Sequence, residues 1–425
     1  MSGTLRQWLE ALGDIFWIRP ALLVLGGVVL GELAVLVEQA DVVVPWVPDG
    51  WIYNGGESGA RAMLGAVASS TIGVAGTTFS ITVAALSLAS GQMGPRLLRN
   101  FIRDPGNQYA LGIFLGTFAY ALVVLRTVRS VDEVAFVPHL AVSGALVLAL
   151  LCVATLVWFV HHVASGINVE TVIDLVHVEL DAAIERLCPE RAEEEVSAVR
   201  PRGEAVTLDG HGYLRAVDVA GLADWAAAQG AVVVLLVKPG DYVFTGAAVA
   251  EVEGGRDGAA AARAALALGA RQAAAEDLEF AVRQLVEVAV RALSPGINDP
   301  FTAMAVLDRL GASLCEVARR QLPGRTVVRG GRVVLFRRVT DYAGLTDAMF
   351  HMIRQSAIGS PAVLIRMVEV LGQVTAVEGR AERRMELGRH AALALAAGRV
   401  GIADPADLAA LQGRAATLAR FSAGG

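Results

Sequence analysis

Glu32 stands alone as an acidic side chain well inside an apolar run, ALLVLGGVVLGELAVLV. A carboxylate in hydrocarbon costs several kcal/mol unless it is paired, protonated or hydrated, so Glu32 is a candidate intramembrane carboxylate. A place near the outer interface, or a hydrogen bond to the next span, is the structural alternative. Further on, Ser69, Gly73, Gly76, Ser80, Ser87 and Gly91 recur at steps of three, four and seven, with Thr71, Thr78 and Thr82 on a neighbouring face. Those steps fall on one stripe of a helix. Small residues let helices approach closely, so the stripe either packs one bundle or lines a central pathway where several copies of the helix meet. Arg96, Arg99 and Arg103 follow at i, i+3 and i+7. They form a basic stripe suited to lipid headgroups or to an anion-attracting vestibule.

Other candidates are less specific. His161 and His162 are adjacent, and neighbouring residues on a helix point about 100° apart, which makes a poor chelate. Anchoring the end of a span is the reading that fits, with proton or metal sensing as the alternative. Asn298-Asp299 could contact a ligand or a neighbouring subunit, yet Ser294-Pro295-Gly296 before it and Pro300 after it also make a plain helix corner. Lys238, the only lysine, precedes a Pro-Gly-Asp turn without the flanking motif of a biotinyl or lipoyl carrier. The three cysteines lack CxxC spacing, and no P-loop, dinucleotide glycine fingerprint, HExxH or GxSxG is present. The expectation is a chain without enzymatic activity, metal or cofactor.

The elements that carry these residues fall into two classes. Of 425 residues, 55% are hydrophobic and 18% charged, with mean hydropathy +0.53. Soluble domains carry about 25% charged residues, so lipid-facing sequence is implied. A net charge of -6 argues against nucleic-acid binding through a basic surface. Four segments meet the length of roughly 20 apolar residues that a span needs: about 18–37, 62–90, 108–125 and 138–160. The second spans about 43 Å as a helix, longer than the hydrocarbon core, and must tilt or project. Arg6, Arg19 and the 96–103 arginines mark the cytoplasmic side, which puts both termini there. Trp46 and Trp51 then suit the outer interface.

Beyond the fourth span, an amphipathic helical connector (165–200) leads to a β-rich stretch (201–258) whose VVVLLVKPGDYVFTGAAVAEVEG resembles a half-barrel hairpin. A long helix is expected over about 259–293, then further helices to residue 425 and one hairpin at TVVRGGRVVLF, where Gly330-Gly331 suits a tight turn. The fold class is an α-helical membrane bundle of four spans (1–164) plus an α+β cytoplasmic domain containing a small β half-barrel and a helical C-terminal part (259–425).

Two long stretches, TTFSITVAALSLASGQMGPRLLRNFIRDPGNQYALGIFLGTFAYALVVL and ALSPGINDPFTA, resemble the signature segments of a bacterial membrane-protein family known as domain of unknown function 2254. The likeness covers nearly the whole chain, HHVASGINVETVI included. It departs at Gln272 and Glu276, where the family pattern has threonine and glutamine. The resemblance implies the topology and a cytoplasmic domain, and no particular activity. The reading is an inner-membrane homo-oligomer in the lipid bilayer, a channel or passive transporter for small ions. A membrane-anchored scaffold or sensor that binds a cytoplasmic partner is the alternative.

Overall fold

In lipid every backbone N–H and C=O must be satisfied within its own segment, so long apolar runs become helices. The computed structural model describes residues 16–40, 52–93, 104–131, 134–166, 168–190, 198–270, 272 and 277–423. Its described residues contain four helices long and apolar enough to cross a membrane: α1 (Ile18–Gln39), α2 (Glu57–Met93), α3 (Pro105–Thr127) and α4 (His139–Gly166). Of these, α3 starts ahead of its apolar run because a local cap extends it. The Asp104 carboxylate accepts from Gly106 N at 2.9 Å, with Pro105 opening α3 behind it. A short antiparallel pair, β1 (Arg129–Val131) and β2 (Val134–Phe136), links α3 to α4.

Glycines set the close packing of α1 on α3. A Cβ on Gly27 would run into the Gly116 carbonyl, one on Gly116 would lie 2.7 Å from Leu23 O, and one on Gly112 would lie 2.5 Å from the Leu23 side chain. Gly27 and Gly31 on one helix, and Gly112 and Gly116 on the other, are spaced four apart. This is the small-xxx-small device of helix contacts in lipid. Tyr120 completes the core of this unit, its hydroxyl donating to Ala141 O at 2.8 Å.

The chain divides into two compact units, Met1–Asn168 and Val169–Gly425. The second opens with α5 (Val169–Leu187), whose buried face includes Ile173, Val176, Leu180 and Ile184. Its β-rich layer begins with β3 (Glu204–Thr207), β4 (Gly212–Val217), helix α6 (Val219–Gln229) and β5 (Val232–Leu235). It continues with β6 (Tyr242–Val243), β7 (Ala248–Glu253), helix α7 (Gly258–Ala264) and β8 (Leu266–Gly269). The helical layer comprises α8 (Leu278–Ala292), α9 (Pro300–Ala318), α10 (Tyr342–Ser356), α11 (Pro361–Val377), α12 (Ala381–Gly401) and α13 (Pro405–Ala423), interrupted by the hairpin β9 (Thr326–Arg329) and β10 (Arg332–Phe336).

The strands form a five-stranded sheet in the order β3-β7-β5-β10-β9 and a three-stranded sheet β6-β4-β8, with no closed barrel among the described residues, and this order does not establish the half-barrel expected within 201–258. The hairpin expected within the helical part supplies two of the five strands, and β10 runs parallel to β5. The long helix expected over about 259–293 is broken. Leu266–Gly269 is a strand, because it pairs antiparallel with β4 from Tyr213–Gly269 to Val217–Leu266. The alanines around it favour helix locally, and pairing with β4 overrides that propensity. Asp277 then caps a fresh helix by accepting from Glu279 N.

Candidate functional site

The small-residue stripe on α2 faces away from its own bundle. Ser69, Gly73, Gly76, Ser80 and Ser87 are all exposed, and Ala62, Ala66 and Ala84 extend the row. A Cβ added at Gly65, Gly73 or Gly76 would meet nothing within 4 Å. The bundle therefore uses the α1 and α3 glycines for its own contacts and leaves this row open. Ile72, Phe79, Ile81 and Val83 border it with bulky apolar surface. The hydroxyls turn back onto the helix: Ser69 Oγ donates to Ala66 O at 3.2 Å, Ser80 Oγ to Gly76 O at 2.9 Å and Thr82 Oγ1 to Thr78 O at 2.9 Å. Thr71 and Thr78 point inward; Thr78 Oγ1 is buried without a hydrogen-bond partner among the described residues.

Glu32 and His162 in the first unit have charged partners. Glu32 Oε1 accepts from Arg126 Nη2 at 2.5 Å, so the expected intramembrane carboxylate is ion-paired to the far end of α3. His162 Nε2 lies 2.5 Å from Asp104 Oδ2 and its ring stacks on Trp158 with centroids 4.8 Å apart. His162 thus ties the end of α4 to the cap of α3, while His161 is exposed. Arg96, Arg99 and Arg103, with Trp46 and Trp51, lie outside the described residues, as does Gly91 for any statement on exposure.

In the second unit, Lys238 sits at the centre of a charged cluster. Its ammonium pairs with Glu279 and lies 2.9 Å from Thr340 Oγ1. Arg283 pairs with Glu279 at 2.8 Å and with Asp277. Burial would raise Glu279, but the hydrogen bonds from Lys238 and Thr340 and the nearby positive charges win and hold its carboxyl below the usual range. Asp277 goes the other way: burial outweighs the Arg283 guanidinium, and neighbouring Glu279 adds to the rise. Gly240 (φ 93) approaches Asp277 so closely that a Cβ there would strike the carboxylate. A cavity of about 380 Å³ borders Lys238, Asp277, Thr340, Leu235 and Arg337.

Asn298-Asp299 is the corner between α8 and α9. Asn298 takes a left-handed φ of 49, and its N–H donates to Ser294 O at 2.8 Å. The Asp299 carboxylate accepts from Phe301 N at 3.1 Å, Thr302 N at 3.2 Å and Thr302 Oγ1 at 2.6 Å. The Asp299 carboxylate is spent on the turn, whereas Asn298 serves it through its backbone and leaves its side chain exposed. The corner also presents apolar surface outward: Ile297 is exposed and Phe301 is 77% exposed.

A second cluster joins α10 to α12. Asp347 Oδ1 lies 2.8 Å from His351 Nε2 and 3.3 Å from His390 Nε2, and Arg389 pairs with the same carboxylate. Burial first, and the Arg389 guanidinium second, push the His390 imidazole down to about 4.

A family model described as a predicted membrane protein, domain of unknown function 2254 (DUF2254), matches residues 14–373. The chain belongs to this family. An uncharacterised protein of Mycobacterium tuberculosis (strain CDC 1551 / Oshkosh) is 33% identical over 423 residues, covering 96% of this chain and 81% of the relative. An uncharacterised protein of Mycobacterium bovis has the same identity and coverage. No solved structure matches.

The DUF2254 match takes in the α2 stripe, the Lys238 cluster and the Asn298 corner, and it stops before Arg389 and His390. Two sets of residues escaped sequence reasoning. The α1 and α3 glycines carried a readable signal, glycines four apart in each span, but nothing in one sequence says which of several such stripes is used internally. Asp347 and His351 are four apart on one helix face, a legible half of a cluster; His390 comes from another helix and leaves no local trace.

Proposed function

We propose that this DUF2254 protein works as a homo-oligomer in the bacterial inner membrane, with α2 helices from several copies meeting along their small-residue stripes around a shared path for small ions. The observation that supports this is the open row from Ser69 to Ser87, where a Cβ added at Gly73 or Gly76 would meet nothing from the rest of the chain within 4 Å. Hydrocarbon gives no reason to expose glycine and serine in a continuous row when Leu or Ile would do, whereas a second helix does. Copies meeting there bring the Ser69, Ser80 and Ser87 hydroxyls to the centre, where Ser69 and Ser80 can trade their own backbone acceptors for an ion or water. In this reading both termini are cytoplasmic, the unit from Val169 onward assembles or gates the path, and the chain performs no catalytic step.

Cysteine at Gly73 in a background lacking Cys152, Cys188 and Cys315 is expected to cross-link copies within native membranes. The purified oligomer is expected to conduct ions in planar bilayers, and Ser80→Leu to reduce that conductance. A verified oligomer that carries no current under any voltage, tension or pH counts against the path. A chain that stays monomeric and does not cross-link removes the assembly itself. A second reading, a membrane-anchored scaffold, draws on the exposed Ile297 and Phe301 at the corner between α8 and α9; it expects Phe301→Ser to abolish capture of a cytoplasmic partner while conductance is absent.

A further inference from the structure

Asp347 and His351 stand one helical turn apart on α10, so their side chains share a face. Packing of α12 against α10 brings His390 onto that face, with Phe350 tilted over its ring at 5.5 Å. The Asp347 carboxylate oxygen and one nitrogen from each imidazole lie within 4.8 Å of one another. Of the two edges, 3.3 Å to His390 Nε2 matches the separation of roughly 3.3 Å between donors on one tetrahedral ion with bonds of about 2.0–2.1 Å, while 2.8 Å to His351 Nε2 is a hydrogen-bond length that must open slightly when an ion enters. His390 has no exposed side-chain surface, while His351 and Asp347 are about a third exposed, so solvent reaches the open side of the triangle.

We propose that Asp347, His351 and His390 bind one divalent transition-metal ion of the zinc type, tying α10 to α12 and leaving a coordination position open to solvent. The donor set selects the class. Two imidazoles and one carboxylate suit Zn²⁺ and its first-row neighbours, and disfavour Mg²⁺ and Ca²⁺, which take oxygen ligands. Three protein ligands with one vacant position is the pattern of zinc sites that bind a water or an exchangeable ligand.

Arg389 is the competitor. Its guanidinium pairs with Asp347 and lies 3.2 Å from His390 Nε2, occupying the face an ion would use. Glu386, 2.5 Å from Arg389 Nη2, offers a second carboxylate to retain the arginine when the ion enters. The Nδ1 atoms of His351 and His390 are buried without hydrogen-bond partners. Imidazoles lacking such support bind metal about 10–100-fold more weakly than supported ones, so the site is of moderate affinity and exchangeable. Because His390 lies past the matched residues 14–373, the family model by itself does not carry this site.

The test is titration of the full-length chain, purified in detergent and stripped with a chelator, with Zn²⁺ alone, reading bound metal by equilibrium dialysis. One Zn²⁺ per chain is expected. His351→Asn and Asp347→Asn are expected to weaken binding at least about tenfold with unchanged circular dichroism. Arg389→Gln is expected to strengthen it about threefold or more, since a positive charge leaves the site. This gain separates metal binding from simple disruption of the helix pair. Absence of stoichiometric Zn²⁺ on both the wild-type and Arg389→Gln chains overturns the proposal, as does equal uptake by the His351→Asn and Asp347→Asn variants.

Discussion

Glu378 has no exposed side-chain surface and is held at 3.1 Å from Arg380 Nη1 and 3.4 Å from Arg383 Nη1. Arg383 is itself buried, lies 4.9 Å above the Tyr342 ring, and donates to Val317 O near the end of α9, while Arg380 donates to Ala318 O and Arg320 O. The two arginines thus bring positive charge and donors to the carbonyls at the C-terminal end of α9, where the helix dipole favours them. Glu378→Ala would strand a buried guanidinium, and denaturant unfolding is expected to show a loss of about 3–5 kcal/mol. The Lys238–Glu279 pair yields a pH signature. Glu279 is depressed below its ordinary value of 4.5, so its stabilisation is present above pH 4.5 and is lost as pH falls through the folded value. Asp277 is raised above 3.8 and has the opposite sign: the folded form takes its proton more readily. Protection of α8 amides against exchange, taken relative to the intrinsic rate at each pH, is expected to fall more steeply below pH 4.5 in the wild-type chain than in Glu279→Gln. Capping at Asp299 was readable in the sequence because all its acceptor bonds are local. Lys238 and Glu279, 41 residues apart, gave no such cue.

At the level of elements, α1 to α4 could be placed from hydropathy alone because hydrocarbon admits little else. Their contacts could not, since glycine rows occur on α1, α2 and α3 alike and only tertiary packing decides which face inward. That difference gives a paired prediction. Gly27→Val drives side-chain atoms into the Gly116 backbone, which cannot yield, and is expected to cost about 3 kcal/mol or more and lower the melting temperature of the detergent-solubilised chain. Gly73→Val meets open space within its own chain and is expected to leave that temperature nearly unchanged while weakening self-association in cross-linking. The break of the expected 259–293 helix shows the converse limit. Alanine-rich sequence reads as helix until a partner strand, here β4, makes extended pairing the better use of Leu266 and Leu268.

Across the whole molecule, hydropathy separates a greasy N-terminal third from a more polar remainder, and the structure has two compact units, Met1–Asn168 and Val169–Gly425. Strand order in the second unit was hidden, because one join in the five-stranded sheet spans about a hundred residues: Leu335 lies beside Val233, and Phe336 beside Val234. This has a consequence for biogenesis. While the ribosome is still working through α8 and α9, β5 has β7 on one side only and its other edge is bare. Nascent chains in that interval offer an unpaired template to any neighbour, since long-range pairing forms slowly and naked strand edges recruit one another. A chain terminated after residue 324 keeps the membrane helices and β5 but never receives β10. It is expected to insert normally and then aggregate through its soluble part, which sedimentation of detergent extracts would reveal.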